Sequence, residues 1–289
     1  MGTVWEQVTG QTRLVSLSDV YLRLKSVLDS EHYVLADIEQ AISHDPALTA
    51  RLLRMVNSAY FGLAVEISTV SRAINMLGSQ QIHDLVLATS VTQTFRQIPE
   101  EIIDMQSFWR RSVYCAAASR QLAAACNVLD NDRLFVAGLL CDIGHLVMYQ
   151  AIPDLSLECI AKAKERDLPI DIMEHKLLGF DHAMVGAELL RQWNLPKSLS
   201  EPIKFHLHAS NSVEYPLETT ILHIASLLAG AFADDENPEG YLNAMSELVW
   251  QVTGLNDDQC LVIHETAVAE VDEIIRLIFS EARTYQASA

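Results

Sequence analysis

Asp45-Pro46-Ala47-Leu48-Thr49-Ala50-Arg51-Leu52-Leu53-Arg54-Met55-Val56-Asn57-Ser58-Ala59-Tyr60-Phe61-Gly62 opens on an acid suited to cap a helix, followed by a proline suited to its first position. Leu48, Leu52, Met55 and Val56 recur at helical spacing, and Gly62 lies just beyond the end. Asn57-Ser58 reads as a helix stop with local hydrogen bonds, the alternative being a grip on a partner's backbone. Upstream, Leu22, Leu24, Val27 and Leu28 follow a start at Ser18. Downstream, Ser68 is placed to cap a helix carrying Val70, Ile74 and Leu77. Gly78 closes that helix, and Ser79 caps the next, from Gln80 to about Phe95.

The same three-and-four periodicity runs to the end of the chain, with glycine and proline mostly between the periodic segments. It predicts helices over Ser107–Cys126, Asp132–Gln150, Leu155–Arg166, Asp181–Trp193, Lys197–His208, Leu217–Phe232, Tyr241–Val252 and Asp258–Ser280. No strand pair is apparent, so the expected fold is all-α, a multi-helix bundle. Ile98-Pro99-Glu100-Glu101 interrupts the pattern and is the expected internal boundary. The reading is an extension over 1–15, a helical subdomain over 16–97, a second over 98–208, and an acidic helical region over 209–289 completing the bundle. The acidic stretch Ala233 to Gly240 is expected to be an exposed, mobile loop.

With 289 residues, half of them hydrophobic and a fifth charged, the chain can bury a core and is neither disordered nor low in complexity. Its 38 acids against 20 bases give a formal charge of -18, which repels phosphate backbones. From Ala231 onward there are twelve acids and two arginines, so that region is no basic docking arm. Five cysteines, Cys115, Cys126, Cys141, Cys159 and Cys260, without a Cys-x-x-Cys pair, suit reduced thiols in a cytoplasmic protein. The apolar stretches read as too short for a bilayer span, and no secretory leader opens the chain.

Chemistry concentrates in Ala137-Gly138-Leu139-Leu140-Cys141-Asp142-Ile143-Gly144-His145-Leu146-Val147. On one continuous helix Cys141 and His145 are four apart with Asp142 beside them, so sulfur, carboxylate and imidazole can converge on one ion. The competing reading is an inert buried cysteine near a polar helix end. His182 follows Asp181 at a helix start, and His206 and His208 close another helix on roughly opposite sides, so at most one of the two joins a common site. The Ser68 to Phe95 hairpin has helix-turn-helix spacing, with Gln80, Gln81, His83 and Asp84 on the reading helix. That helix has no Lys or Arg before Arg96, which favours a packed hairpin over a DNA reader. Trp109 and Trp193 read as core anchors, while Trp5, Trp250 and Val249 to Leu255 either cover the bundle ends or extend a homodimer surface.

The run from Asp45-Pro46 through Asn57-Ser58 to Gly62, then Ile67 to Gly78 and Leu85 to Ala88, resembles the signature of HDOD domains, bacterial signalling modules related to the HD phosphohydrolases. The similarity continues through Phe108-Trp109, Ala137 to Gly144, His182 to Trp193 and Leu195-Pro196, covering roughly Ser16 to His208. It implies a metal centre in the active relatives, and this chain departs from that ligand set. Arg110 and Arg111 stand where the first histidine ligand is expected, Cys141-Asp142 replaces the His-Asp pair, and His145 stands where a lysine or arginine often follows. Ser226 replaces the last aspartate, while His182 and His206 match retained histidines of the cyclic-dinucleotide phosphodiesterase relatives. A guanidinium at Arg111 has no lone pair to donate and is able instead to neutralise Asp142.

The resemblance therefore implies a non-catalytic signal-transduction output module that engages a signalling protein. No cofactor is assigned beyond a single divalent transition metal at a residual site through Cys141, Asp142, His182 and His206. The alternatives are a metal-dependent phosphohydrolase of a nucleotide or cyclic dinucleotide, and a helix-turn-helix DNA-binding regulator.

Overall fold

The structure is a computed structural model that describes residues 3–279 apart from 14, 31, 59–61, 64, 96–97, 99–101 and 130. Ala59-Tyr60-Phe61 and the Pro99 to Glu101 boundary lie outside the described residues. Among the described residues all regular structure is helical. In chain order the helices begin with α1 (Val4–Thr12), α2 (Asp19–Leu28), α3 (Leu35–Ser43), α4 (Pro46–Val56), α5 (Val70–Leu77) and α6 (Ser79–Thr94). They continue with α7 (Met105–Ala125), α8 (Asn131–Leu140), α9 (Ile143–Ala151), α10 (Pro153–Arg166), α11 (Ile170–Leu178) and α12 (His182–Gln192). The last five are α13 (Lys197–Phe205), α14 (Pro216–Asp234), α15 (Pro238–Asn243), α16 (Glu247–Thr253) and α17 (Asp257–Phe279).

The described residues form two compact units, one drawn from 3–16 and 98–268, the other from 17–95 and 269–279. In the smaller unit α3 packs on α2, α4 and α5, and α6 packs on α2, α4 and α5. Asp45 caps α4 by accepting from the backbone N–H groups of Ala47 and Leu48, with Pro46 at the first position. Leu48, Leu52, Met55 and Val56 are buried on one face. Asn57 ends the helix and clamps the chain beyond it: its amide donates to the Ile67 carbonyl at 2.7 Å and accepts from the Ile67 N–H at 2.6 Å. The Ser58 hydroxyl returns to the Met55 carbonyl. Thr69 rather than Ser68 caps α5, its side chain accepting from Arg72 N–H. A single residue, Gly78, separates α5 from α6 at φ +88°, a conformation L side chains rarely adopt, and Ser79 is already helical. Residues Ile82 to Thr92 of α6 are all buried, His83 and Asp84 included, so this helix is a core element and not a solvent-facing reader.

In the larger unit α7 packs on α8 and α14, and α12 packs on α9 and α13. Gly138 lets α8 reach the backbone of α7, because a Cβ there would collide with the Cys115 carbonyl oxygen. At Gly144 a Cβ would overlap the His182 carbonyl, so this glycine sets the approach of α9 to α12. The expected single helix over Asp132–Gln150 is two, broken at Cys141-Asp142. Cys141 and His145 are therefore not one turn apart on a common helix, and the convergence argued from that spacing does not apply. Tyr241–Val252 likewise divides into α15 and α16, and the expected acidic loop gives up Pro238 to Gly240 to α15, capped by Asn237. α1, α3 and α11 were not expected as helices.

Two helical stretches correct the reading that no segment approaches a bilayer span. Residues 131–151 and Pro216–Asp234 are long and apolar enough by length and composition, with 89% and 56% of their most apolar windows buried inside the protein. Leu139, Leu140, Ile143, Leu146, Ile224 and Leu228 account for that hydropathy and line the core.

Candidate functional site

The break between α8 and α9 places Asp142 at the N-cap of α9, yet its carboxylate caps nothing. It is turned into the unit, 3% exposed, with Oδ2 ion-paired to the Arg111 guanidinium of α7 and Oδ1 3.6 Å from His182 Nε2. Arg111 is itself partly covered, its side chain 31% exposed. A buried carboxylate without a cation is unfavourable by several kcal/mol, and the guanidinium removes that penalty through charge and directed N–H donors.

His182 is held from behind by Glu174 on α11. One Glu174 oxygen accepts from the His182 backbone N–H at 3.0 Å and from its Nδ1–H at 2.8 Å. The first bond satisfies a backbone donor that the helix start leaves open, while Asp181 caps the same helix through Met184 N–H. The other Glu174 oxygen is 2.9 Å from His145 Nε2, at an angle that makes no hydrogen bond. His145 stacks on His182 at 3.8 Å between ring centroids, and His206 meets His182 edge-on at 5.8 Å. His206 donates Nδ1–H to the Ile203 carbonyl at 2.7 Å, leaving its Nε2 as an acceptor, and its own carbonyl accepts from His223 Nδ1 at 2.6 Å.

The ionisation pattern follows from burial and neighbours. Burial opposes charge on Glu174, but facing His145 and His182 outweigh it and hold the carboxyl well below its ordinary range. Burial also opposes charge on His182, yet Glu174 carries its affinity for a proton above the ordinary value. Burial, then the charge on His182, pushes His206 down to about 3 and lowers His145 as well. The cluster thus sets two carboxylates, Asp142 and Glu174, against one permanent cation, Arg111, and one imidazole biased toward imidazolium.

By spacing, two overlapping donor groups are able to hold a metal: Cys141, Asp142 and His206, and Asp142, His145 and His182, each with its ligand atoms within 4.8 Å. The arrangement does not fit the paired ions of a hydrolytic centre. Asp142 is shared between Arg111 and His182, and the charges already balance, so a divalent ion has to displace a guanidinium and a proton. The Ser226 hydroxyl is committed to the His223 carbonyl. His208 is exposed whereas His206 is 1% exposed, so one of the pair joins the cluster.

Glu174 is the site residue that the sequence reading missed. It is 2% exposed and sits on the face of α11 that buries Met173. An acid four residues after Ile170 and adjoining Met173, inside an apolar 3.6-residue pattern, is the signal that was available. A cavity of about 610 Å³ between α11, α12 and α13 is lined by Asp171, His175, Lys176, Asp181, Lys204 and His208 among others, and not by Asp142 or its partners.

An uncharacterized protein of Treponema pallidum (strain Nichols) is 26% identical over 221 residues, covering 75% of this chain and 42% of the relative. This chain thus spans less than half the length of that relative. A solved structure from Shewanella amazonensis SB2B, provisionally named a phosphohydrolase, has a TM-score of 0.73 at 25% identity, covering 95% of this chain and 96% of its own. An HDOD domain protein of unknown function from Geobacter sulfurreducens has a TM-score of 0.71 at 19% identity, covering 95% and 99%. The HDOD domain model matches residues 14–209, well over half of the sequence, and with the Asp-Pro to Asn-Ser segment inside that range, the chain belongs to the HDOD family.

Proposed function

We propose that this chain is a non-catalytic output or interaction module of bacterial signal transduction, in which the HD-type pocket has become a charge-balanced structural centre. The observation that carries this reading is the Arg111 guanidinium on Asp142, a permanent cation seated where a catalytic ion has to bind. A signalling-protein partner fits a module without its own chemistry, and a cytoplasmic setting fits five free cysteines. Nucleic acid is a poor partner for a chain of formal charge -18 whose candidate reading helix is buried.

The test joins metal analysis of protein purified without chelator to turnover of a generic phosphodiester. The expected result is substoichiometric metal and no Asp142-dependent hydrolysis. A stoichiometric ion together with turnover lost in Asp142→Ala overturns the proposal in favour of a metal-dependent phosphohydrolase. Replacing both Arg111→His and Cys141→His is expected to raise bound metal toward stoichiometry, because it removes the resident cation and adds two neutral donors.

A further inference from the structure

We propose that Cys115 and Cys141 form a dithiol that a hydroperoxide converts into an intramolecular disulfide, a modification site independent of the functional reading above. The two sulfurs are 3.6 Å apart, and the residues are 1% and 0% exposed. They face each other because Gly138 brings α8 onto the backbone of α7 at Cys115, and Cys141 follows three residues later, just beyond the end of α8. Side-chain rotation has to bring the sulfurs from 3.6 Å to the bonded distance of about 2 Å. The other thiols are otherwise engaged or placed: Cys126 donates to the Thr253 carbonyl, and Cys159 packs with Ala163 and Met173.

The chemistry balances with hydrogen peroxide as the oxidant. The balance is the same for either order of attack; written from Cys141, its sulfur attacks one peroxide oxygen and the O–O bond breaks. The departing oxygen leaves as water, carrying the thiol proton, and Cys141 becomes a sulfenic acid. The Cys115 sulfur then attacks the Cys141 sulfur, forming the S–S bond and breaking the S–O bond. The hydroxyl leaves as a second water with the proton from Cys115, so the two sulfurs together surrender two electrons to one peroxide. The disulfide also removes the S–H that Cys141 donates to the Gly138 carbonyl at 3.2 Å, changing the end of α8 immediately before Asp142.

The full chain, freed of reductant, is treated with hydrogen peroxide, denatured, alkylated and mapped by mass spectrometry. The expected product has lost two of its five thiols, carries a Cys115 to Cys141 cross-linked peptide, and recovers both thiols with a dithiol reductant. Either single serine variant is expected to lose the cross-link and to stop at a sulfenic acid that a 1,3-dione traps on the remaining thiol of the pair. Survival of all five thiols overturns the proposal, as does a linkage through Cys126, Cys159 or Cys260 or between two chains. The wild-type mapping decides the matter even where a serine variant fails to fold.

Discussion

Each unit buries a histidine against a carboxylate, and the two clusters handle the charge differently. In the larger unit Asp142 and Glu174 face Arg111 and His182, so each acid has a charged or chargeable partner. In the smaller unit Asp84 Oδ1 accepts from His83 Nδ1 at 2.8 Å and from Gln80 at 3.0 Å, His83 Nε2 meets the Tyr21 hydroxyl at 2.9 Å, and Asp84 Oδ2 has no hydrogen-bond partner. Burial, followed by the nearby Asp84 charge, pushes the Tyr21 hydroxyl well above its ordinary range, so it remains a neutral O–H donor to His83. One cluster sets a permanent cation against its acids, while the other meets its acid with a histidine and an amide and leaves one carboxylate oxygen unused. Removing the cation from the first leaves a buried charge unmatched, whereas the second has no permanent cation to lose.

That contrast breaks most visibly at Arg111. Arg111→Leu leaves Asp142 buried beside an apolar chain and is expected to cost about 3–5 kcal/mol of unfolding free energy, measured by urea denaturation at neutral pH. A loss within experimental error means that the ion pair is not what holds Asp142. His206 supplies the next effect. Its folded value is depressed to about 3 from an ordinary 6.5, so the unfolded chain takes up a proton that the folded chain refuses. Its contribution is complete above pH 6.5 and is eroded as the pH falls from there toward 3, by an amount on the order of a few kcal/mol. Denaturation midpoints taken from pH 7.5 down to 5 are expected to fall more steeply in the native sequence than in His206→Gln; parallel curves count against a buried neutral imidazole.

Glu174→Gln keeps the shape but removes the charge that faces His182 and His145. The expected loss is about 1.5–3 kcal/mol, the range for hydrogen bonds to charged groups, and a histidine titration followed by NMR is expected to show His182 releasing its proton at lower pH than in the native chain. Asp84→Asn sits at the small end. It retains the Oδ1 acceptor and strands no permanent cation, so a loss of about 1 kcal/mol is expected. If Asp84→Asn proves as damaging as Asp142→Asn, the distinction between the clusters fails.

Much of the helical framework is legible because it rests on local rules. Asp45-Pro46 marks the start of α4, Ser18 that of α2, and Asp181 that of α12, each by a side chain or ring that acts within one turn. The missed elements are those whose local signals are weak. α11 has no side-chain cap and follows Pro169 directly, and with it Glu174 escaped notice. The division between α8 and α9 was equally hidden, since Leu139-Leu140 before Asp142 and Ile143, Leu146 and Val147 after it are apolar alike. Asp142 sits at the break with its carboxylate ion-paired to Arg111 of α7 and 3.6 Å from His182 of α12, and no periodicity within 131–151 carries that information.

The amino-acid order alone determined that the chain is helical and that it carries the HDOD signature, because propensity, capping and residue identity are properties of short segments. The Arg111–Asp142 pair was within reach of the sequence, but the tertiary structure decided the other meetings: Glu174 with His182, and Cys115 with Cys141. Such pairs span 26 residues of chain in the case of the sulfurs, and only the packing of one helix against another, set here by Gly138 and Gly144, selects them from every other pairing that the composition allows.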